Sequence, residues 1–199
     1  SEPPTRAEIM AWRKAERSRL ADERLAIDPD ERRRFAAAIA AHLDRFIGAP
    51  AGRTVSVYWP FRGEPDLRPW MRRIAAGGGR CALPVVVAKR TPMVFRAWQP
   101  GCRLMAGVWN IPIPADGAEV VPDIVIAPVM GFDGAGYRLG YGGGFFDRTL
   151  AVLSPRPTAI GVGYARAAMA TIRPLPHDIP MDAIVTERAV IAPAPPPRP

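Results

Sequence analysis

Lysine is almost absent from this chain. Of its 27 basic residues, only Lys14 and Lys89 are lysines, and the rest are arginines. Alanine and proline are abundant as well, a combination typical of a coding bias toward Arg, Ala and Pro rather than of selection for a basic face. The net charge of +8 is therefore weak support for a nucleic-acid partner, which we do not expect, although an anionic ligand such as a nucleotide is compatible with it.

Cysteine, histidine and long apolar runs are scarce too. Cys81 and Cys102 lack metal-ligand spacing and are expected to be two free thiols in a reducing compartment. His42 and His177 are the only histidines, which argues against a histidine-based metal site. No apolar run approaches the roughly 18 residues of a membrane span, and the N-terminus lacks the apolar core of a secretory signal. We expect a cytoplasmic protein without a membrane partner.

Two common phosphate-binding signatures are missing. No G-x-x-x-x-G-K-[ST] occurs, which excludes a P-loop, and the glycines from Gly140 onward lack the third glycine of the dinucleotide fingerprint. The chain does have a glycine-rich stretch at 131–148, with seven of its 18 glycines, directly after the apolar run 124–130. Glycine allows positive φ and a close approach of backbone to ligand. A strand that leads into such a loop, with a helix behind it, can cradle phosphate on backbone N–H groups.

Strands and helices alternate along the chain. Thr5 and Glu8 fit a capping box, and Asp28-Pro29 is a second helix start. Four helices are predicted, at 6–27, 29–47, 67–76 and 145–153. Six strands are predicted, at 54–59, 81–87, 93–98, 123–127, 158–163 and 183–186. Pro84 predicts that the second strand lies at an edge or ends early, and 101–121 is predicted to be an irregular connection.

This alternation predicts one α/β domain with three layers, αβα, a mostly parallel sheet and an N-terminal helical pair. We expect the domain to span 1–191, the proline-rich tail 192–199 to be disordered, and the protein to be a monomer. Ligands of such sheets bind beyond the carboxyl ends of the strands, which is where the glycine-rich stretch is expected.

The residues of this stretch suit phosphate and metal. Arg138 can neutralise phosphate oxygens through bidentate hydrogen bonds. Asp147, at the start of the predicted helix, can hold Mg²⁺ against phosphate, since Mg²⁺ favours one or two carboxylates plus the nucleotide. A purely structural alternative has Asp147 as a helix N-cap and Arg138 as its salt-bridge partner. Composition alone does not decide between the two.

The pattern from Phe132 to Leu150 contains Asp-x-x-Gly-Tyr-Arg-Leu-Gly-x-Gly-Gly-Gly-Phe-Phe-Asp-Arg. It resembles the signature of the 5-formyltetrahydrofolate cyclo-ligases, also called methenyltetrahydrofolate synthetases, and the resemblance spans roughly 9–187. It implies that ATP phosphorylates the formyl oxygen on N5 of 5-formyltetrahydrofolate. N10 then attacks the activated carbon, and ring closure gives 5,10-methenyltetrahydrofolate, ADP and phosphate.

The resemblance also implies roles for individual residues. Arg138 and Tyr141 are the implied catalytic residues. The implied nucleotide contacts are Arg13, Arg138, Gly140, Gly142, Gly143, Gly144 and Phe145. The implied folate contacts are Trp59, Glu64, Tyr141 and Phe145, and the implied Mg²⁺ ligands are Asp147 and Asp182. On the first helix, Lys14 and Arg17 are as plausible as Arg13, and Trp98 and Trp109 are either pocket or packing residues.

Four places depart from the family pattern. Ile9, Ile113 and Phe146 stand where a basic residue, a glutamate and a tyrosine are frequent, and 164–167 lacks a glutamine that is common after the preceding strand. Three hypotheses therefore remain open. The first is that the chain is a working cyclo-ligase. The second is that it is a paralogue of the same fold that binds nucleotide but has another substrate or a regulatory role. The third is that it is a basic nucleic-acid-binding protein.

Overall fold

The computed structural model describes residues 1–193. Its four α-helices are α1 (Arg6–Leu25), α2 (Pro29–Ile47), α3 (Arg68–Ala76) and α4 (Phe145–Val152). Its strands are β1 (Thr54–Ser56), β2 (Arg80–Val85), β3 (Val94–Trp98), β4 (Leu104–Ala106), β5 (Pro112–Pro114), β6 (Ile124–Pro128), β7 (Gly131–Asp133), β8 (Arg138–Leu139), β9 (Thr158–Val162), β10 (Ala168–Met169), β11 (Ala183–Val185) and β12 (Val190–Ile191). The ten predicted elements agree with these bounds within three residues. The predicted disordered tail falls mostly on 194–199, outside the described residues.

The main sheet has seven strands in the order β12-β11-β9-β6-β1-β2-β3. The five inner strands are parallel to their neighbours, and the two edge strands, β3 and β12, are antiparallel. Of the two alternatives that Pro84 predicts for β2, the edge position is wrong, because β3 covers that side, whereas the strand does end early, at Val85. Pairing of β2 with β1 ends at Ala82, so the missing N–H of Pro84 costs no bond on the β1 side.

Helices cover both faces of this sheet. Leu43 of α2 and Trp70 of α3 pack in one apolar cluster with the side chain of Ile124. Leu20 of α1 and Leu150 of α4 pack in a second apolar cluster on the other face of the sheet. Val125, the residue of β6 that follows Ile124, belongs to this second cluster. Successive side chains of β6 thus point to opposite faces and pack in two different cores, as expected for a strand buried on both faces. The three-layer αβα fold with an N-terminal helical pair is confirmed.

Both N-terminal helices begin as their sequences predict. The Thr5 side chain accepts from the Glu8 N–H while the Glu8 carboxylate accepts from the Thr5 N–H, a complete capping box. Asp28 caps α2 in front of Pro29. In residues 1–193, no helix combines the length and apolarity needed to cross a membrane.

Two segments differ from the prediction. The connection 101–121 contains an antiparallel hairpin, β4–β5, whose turn holds Trp109 at a φ of +55°. The glycine-rich stretch contains a second hairpin, β7–β8, which β10 extends into a three-stranded sheet. Asp133 closes that hairpin, since its carboxylate accepts from the N–H groups of Ala135 and Tyr137. These short strands were missed because glycine and proline mask their β pattern.

The chain direction creates a crevice between β1 and β6. From β1 the chain continues outward through β2 and β3, then returns to β6 on the other side of β1 and continues outward to β9, β11 and β12. Strand order therefore reverses at the β1/β6 boundary. In open α/β sheets, ligands bind outside the carboxyl ends of the strands at such a point.

Candidate active site

A cavity of about 300 Å³ lies at this crevice. Its floor is formed by the carboxyl ends of the central strands, where Trp59 follows β1 and Pro128 ends β6. The glycine loop, which we define as 140–144, forms one wall together with the first turn of α4. Helix α1 and the β4–β5 hairpin form the remaining sides. The location agrees with the expectation for the glycine-rich stretch.

Backbone N–H groups of the glycine loop face no internal acceptor. Within residues 1–193, the N–H groups of Gly142, Gly143 and Gly144 make no hydrogen bond. Gly142 has a φ of +98°. Gly144 has a φ of +68° and is the N-cap residue of α4, so no side chain accepts hydrogen bonds from the first N–H groups of that helix. A run of free N–H groups leading into a helix N-terminus is a cradle for an anion.

Two arginines flank this cradle. Arg138 donates from Nε and Nη2 to the carbonyl oxygen of Pro128 (3.3 and 2.9 Å), and its guanidinium lies 4.9 Å from the ring centroid of Phe146. Arg17 of α1 donates from Nε to the carbonyl oxygen of Gly140 (2.6 Å). Burial lowers the pKa of both guanidinium groups from the ordinary arginine value. Arginine stays charged at neutral pH, so the loop lies between two fixed positive charges.

The structural alternative for Asp147 and Arg138 is not supported. Gly144, not Asp147, is the N-cap residue of α4. Arg138 donates to the Pro128 carbonyl, and within residues 1–193 it forms no ion pair with Asp147 shorter than 4.0 Å. Both side chains line the cavity instead.

Arg13 also borders the cavity, but its guanidinium is held elsewhere. It is 5% exposed, lies 2.5 Å from the carboxylate of Asp178, and donates to the carbonyl oxygen of Ile172 (3.2 Å). Arg17 is the α1 arginine that reaches the glycine loop, whereas Lys14 is exposed and absent from the lining. Of the three candidates left open by the sequence, the geometry favours Arg17 as the phosphate contact.

The structure does not bring the two predicted metal ligands together. Asp147 lines the cavity, and its Oδ1 accepts from the Ile179 N–H (2.9 Å). Asp182 directly precedes β11 and accepts from the Ala159 N–H (2.8 Å), so it lies at the amino end of the parallel strands. The cavity is at the opposite, carboxyl edge. Asp182 is therefore corrected to a structural residue, and Asp178 is the second aspartate of the cavity.

The carboxylates present suit a metal that arrives with its own ligands. Burial raises the pKa of Asp147, and the Ile179 N–H and the charge of Arg138 act against that shift. Within residues 1–193, no cluster of three or more His, Cys, Asp or Glu side chains could hold a metal by itself. Mg²⁺ commonly uses one or two carboxylates and completes its shell with phosphate oxygens and water. The site therefore fits Mg²⁺ together with a phosphate ligand.

Glu64 and Trp59 line another part of the cavity. Glu64 is 7% exposed, and its carboxylate accepts from the Phe61 N–H (2.9 Å). Burial raises its pKa to about 7, against the opposing charge of Arg24. Trp59 is half-buried beneath the guanidinium of Arg68, 5.2 Å from its ring centroid. A buried carboxylate beside an aromatic wall can bind a flat ring that carries N–H donors.

An aromatic cluster, which we define as Phe61, Trp109 and Tyr141, lies at the mouth of the cavity. Its ring centroids are 5.9 to 6.0 Å apart, and Phe61 and Trp109 are stacked with an interplanar angle of 18°. Trp109 is 59% exposed at the tip of the β4–β5 hairpin. Trp98 is buried in the core instead and is absent from the lining. Phe145 lines the cavity as predicted, at the start of α4.

Arg24 was missed by sequence reasoning. It is 5% exposed and donates from Nη2 to the Tyr141 hydroxyl (2.6 Å). The signal was present, because Arg13, Arg17, Leu20 and Arg24 follow one another at spacings of four, three and four. Those spacings put them on one face of α1. Arginines in an inward-facing stripe indicate a polar site beneath the helix.

Comparisons with known proteins agree with this geometry. The model of the 5-formyltetrahydrofolate cyclo-ligase family matches residues 9–187. A 5-formyltetrahydrofolate cyclo-ligase of Escherichia coli is 31% identical over 180 residues, which cover 86% of this chain and 98% of that protein. One of Mycolicibacterium smegmatis is 30% identical over 151 residues, covering 71% and 78% of the two chains.

Solved structures show the same fold. The NMR structure of Aquifex aeolicus 5,10-methenyltetrahydrofolate synthetase superposes with a TM-score of 0.79 at 28% identity, covering 90% of this chain and 92% of that chain. A 5,10-methenyltetrahydrofolate synthetase from Mycoplasma pneumoniae superposes with a TM-score of 0.73 at 22% identity, covering 88% and 98%. This chain belongs to the 5-formyltetrahydrofolate cyclo-ligase family.

Proposed function

We propose that this chain converts 5-formyltetrahydrofolate to 5,10-methenyltetrahydrofolate with ATP and Mg²⁺, releasing ADP and phosphate. One observation carries the proposal: the glycine loop with its free N–H groups and the Glu64 wall face one cavity of about 300 Å³. A ligase of this kind must bring a phosphate donor and a second substrate together, and most of its catalytic work is positioning and charge neutralisation.

The nucleotide half of the site is the glycine loop. When bound, MgATP supplies the phosphoryl group that activates the formyl oxygen. The N–H groups of Gly142, Gly143 and Gly144 donate to phosphate oxygens, and Arg17 and Arg138 neutralise their charge. Asp147 would hold Mg²⁺, which would supply positive charge against the phosphate oxygens; the Ile179 N–H, which donates to Oδ1, fixes the orientation of this carboxylate.

The folate half is the part of the cavity that Glu64 and Trp59 line. Glu64 accepts hydrogen bonds from ring N–H groups of the pterin, and Trp59 packs against its face. Tyr141, which belongs to both the glycine loop and the aromatic cluster, stands at the junction of the two halves. Its position suits orientation of the formyl group toward the phosphates. Water is excluded by the apolar lining, including Ile113.

The paralogue hypothesis stays open on the folate side. Ile113 lines the cavity where the family pattern often has a glutamate, so one polar contact to the second substrate is absent. Nucleic-acid binding has no comparable support, because the cavity is concave and partly apolar. Cytoplasmic localisation and a monomeric state stay predictions.

A direct assay separates these hypotheses. Purified protein is mixed with MgATP and 5-formyltetrahydrofolate, and the absorbance of 5,10-methenyltetrahydrofolate is followed. We expect product formation that requires both ATP and Mg²⁺. No product under conditions in which a known cyclo-ligase works would exclude the proposed reaction, and retained ATP binding in that case would favour the paralogue.

Gly140 gives a test of the nucleotide half alone. A Cβ at this position would lie 2.7 Å from Nη2 of Arg138, so Gly140→Ala should displace that guanidinium from the phosphate site. We expect the KM for ATP to rise about tenfold or more, in line with the loss of a charged hydrogen bond. Gly134→Ala is the matched control, because nothing lies within 4 Å of its added Cβ. Equal KM values for the two variants would contradict the role of Arg138.

A further inference from the structure

Arg24 is a buried cation with no role in the proposed function above. Its guanidinium donates from Nε to the carbonyl oxygen of Arg62 (3.0 Å) and from Nη2 to the hydroxyl of Tyr141 (2.6 Å). Both acceptors are neutral, and no carboxylate of residues 1–193 lies within 4.0 Å of it. Buried charges in proteins are normally paired. An arginine kept at 5% exposure without an ion pair is therefore unusual.

The two acceptors belong to two different segments beside the cavity. Arg62 belongs to the Glu64 turn, which we define as 61–64, and Tyr141 belongs to the glycine loop. Within the turn, the Glu64 N–H donates to the Phe61 carbonyl (3.1 Å) and the Phe61 N–H donates to the Glu64 carboxylate (2.9 Å). The guanidinium of Arg24 thus links helix α1 to both the Glu64 turn and the glycine loop.

The backbone of the Glu64 turn is held from outside by two side chains, Arg24, which donates to the Arg62 carbonyl, and Tyr164, whose hydroxyl donates to the Gly63 carbonyl (2.8 Å). Arg62 has a φ of +48° and Gly63 a φ of +80°, so two successive residues are left-handed. Such a conformation is costly for a residue with a side chain and persists only when its surroundings fix it. The carbonyl group that accepts from Arg24 joins these two left-handed residues, Arg62 and Gly63. Without the hydrogen bond from Arg24, the turn that aims Glu64 into the cavity loses one of its two external holds.

Electrostatics gives Arg24 a second effect. The charged and titratable groups facing Glu64 from its neighbouring elements are Arg24, Tyr58, Arg138, Tyr141 and Tyr164. Among them, Arg24 is the main one that favours the ionised carboxylate, ahead of Arg138. Burial acts in the other direction and raises the pKa of Glu64 to about 7. Removal of the Arg24 charge therefore raises that pKa further.

We propose that Arg24 is a positioning residue of the cyclo-ligase reaction, which holds the Glu64 turn and the Tyr141 hydroxyl in register and supplies the positive charge that faces Glu64. The inference rests on the proposed folate contact of Glu64. Arg24 itself is not expected to contact either substrate, because it does not line the cavity and the two hydrogen bonds of its guanidinium go to Arg62 and Tyr141.

The test is the pH profile of Arg24→Gln. The kcat/KM for 5-formyltetrahydrofolate is measured against pH at saturating MgATP. We expect its acid limb to move to higher pH, and the KM for the folate near neutral pH to rise about tenfold or more, with the KM for ATP nearly unchanged. Arg24→Lys retains the charge on a shorter side chain and should give a smaller shift in the same direction.

Arg19→Gln is the matched control. It removes the same charge from the same helix, but Arg19 is exposed, and within residues 1–193 its side chain bonds only to Glu16 and Glu23. A wild-type profile and folate KM in Arg24→Gln would overturn the inference. If Arg24→Gln does not fold, Arg24→Lys decides: a partial shift supports the inference, and a wild-type profile overturns it. An inactive wild type would instead contradict the proposed function, so the two failures are distinguishable.

Discussion

Replacement of Asp147 with asparagine should lower kcat/KM for MgATP about a thousandfold, because a Mg²⁺ ligand contributes several kcal/mol of charge stabilisation. Asparagine keeps the acceptor for the Ile179 N–H, so the fold of the 175–179 segment should survive. Only the anionic oxygen that faces the cavity is lost. The Mg²⁺ concentration needed for half-maximal rate should rise in parallel, which titration of Mg²⁺ at fixed ATP measures.

Asp182→Asn is the matched control for this change. Asp182 also accepts a backbone N–H, that of Ala159 at 2.8 Å, but at the amino edge of the sheet. The structural cost of the two substitutions should be similar, whereas only Asp147→Asn should change the Mg²⁺ dependence. An unchanged Mg²⁺ requirement in Asp147→Asn would contradict the metal assignment, and a raised one in Asp182→Asn would restore the pairing inferred from sequence.

Glu64→Gln should reduce kcat/KM for the folate roughly 10- to 100-fold at pH above 7, the cost of replacing an ionised acceptor by a neutral one. The wild-type value should fall as pH is lowered through about 7, because burial raises the pKa of Glu64 to about 7 and its protonated form lacks the negative charge that strengthens hydrogen bonds from ring N–H groups. The variant should lose this acid limb. Kinetics across that pH range at saturating MgATP measure both effects.

The same substitution should make the unliganded protein more stable. The pKa of Glu64 is raised from 4.5 in the reference state to about 7 in the fold, so the native state binds the proton more tightly than the unfolded chain. The favourable contribution of Glu64 is thus present at low pH and is lost as pH rises from about 4.5 through about 7. Relative to the wild type, Glu64→Gln should gain roughly 3 kcal/mol of unfolding free energy across that range.

Denaturant unfolding at several pH values checks this gain. Glu187→Gln is the control, because Glu187 accepts the Ala165 N–H (2.6 Å) but does not line the cavity. A Glu64→Gln variant with wild-type stability at all pH values would show that the carboxylate is not held in a strained, desolvated state. A site that costs stability in the free protein is expected where the burial serves ligand binding.

Local signals in the sequence were sufficient for much of the fold. The capping box at Thr5 and the Asp28-Pro29 start fix two helices through hydrogen bonds within a few residues. The glycine loop could be placed at the cavity because parallel strands end at one edge of the sheet. The β4–β5 hairpin could not be predicted, since Pro112 and Pro114 hide its strand character and its pairing depends on tertiary context.

The site was less predictable than the loop that carries it. Which of the α1 arginines reaches the glycine loop depends on the rotation of the helix about its axis, and Leu20 packs that helix against the core. Arg24 belongs to no motif, and its hydrogen bond to Tyr141 forms only because α1 packs over the glycine loop in the folded chain. The Asp182 assignment could have been avoided from sequence, because a residue directly before a parallel strand lies at the edge away from the site.

Coupling of ATP use to ring closure in one cavity is tested most directly by counting both products in a single sample. Enzyme, MgATP and limiting 5-formyltetrahydrofolate are allowed to react to completion, and 5,10-methenyltetrahydrofolate and ADP are quantified together. We expect equal amounts of the two, each equal to the folate consumed. ADP without methenyltetrahydrofolate, or methenyltetrahydrofolate without ADP, would contradict a site in which the glycine loop and Glu64 serve one reaction.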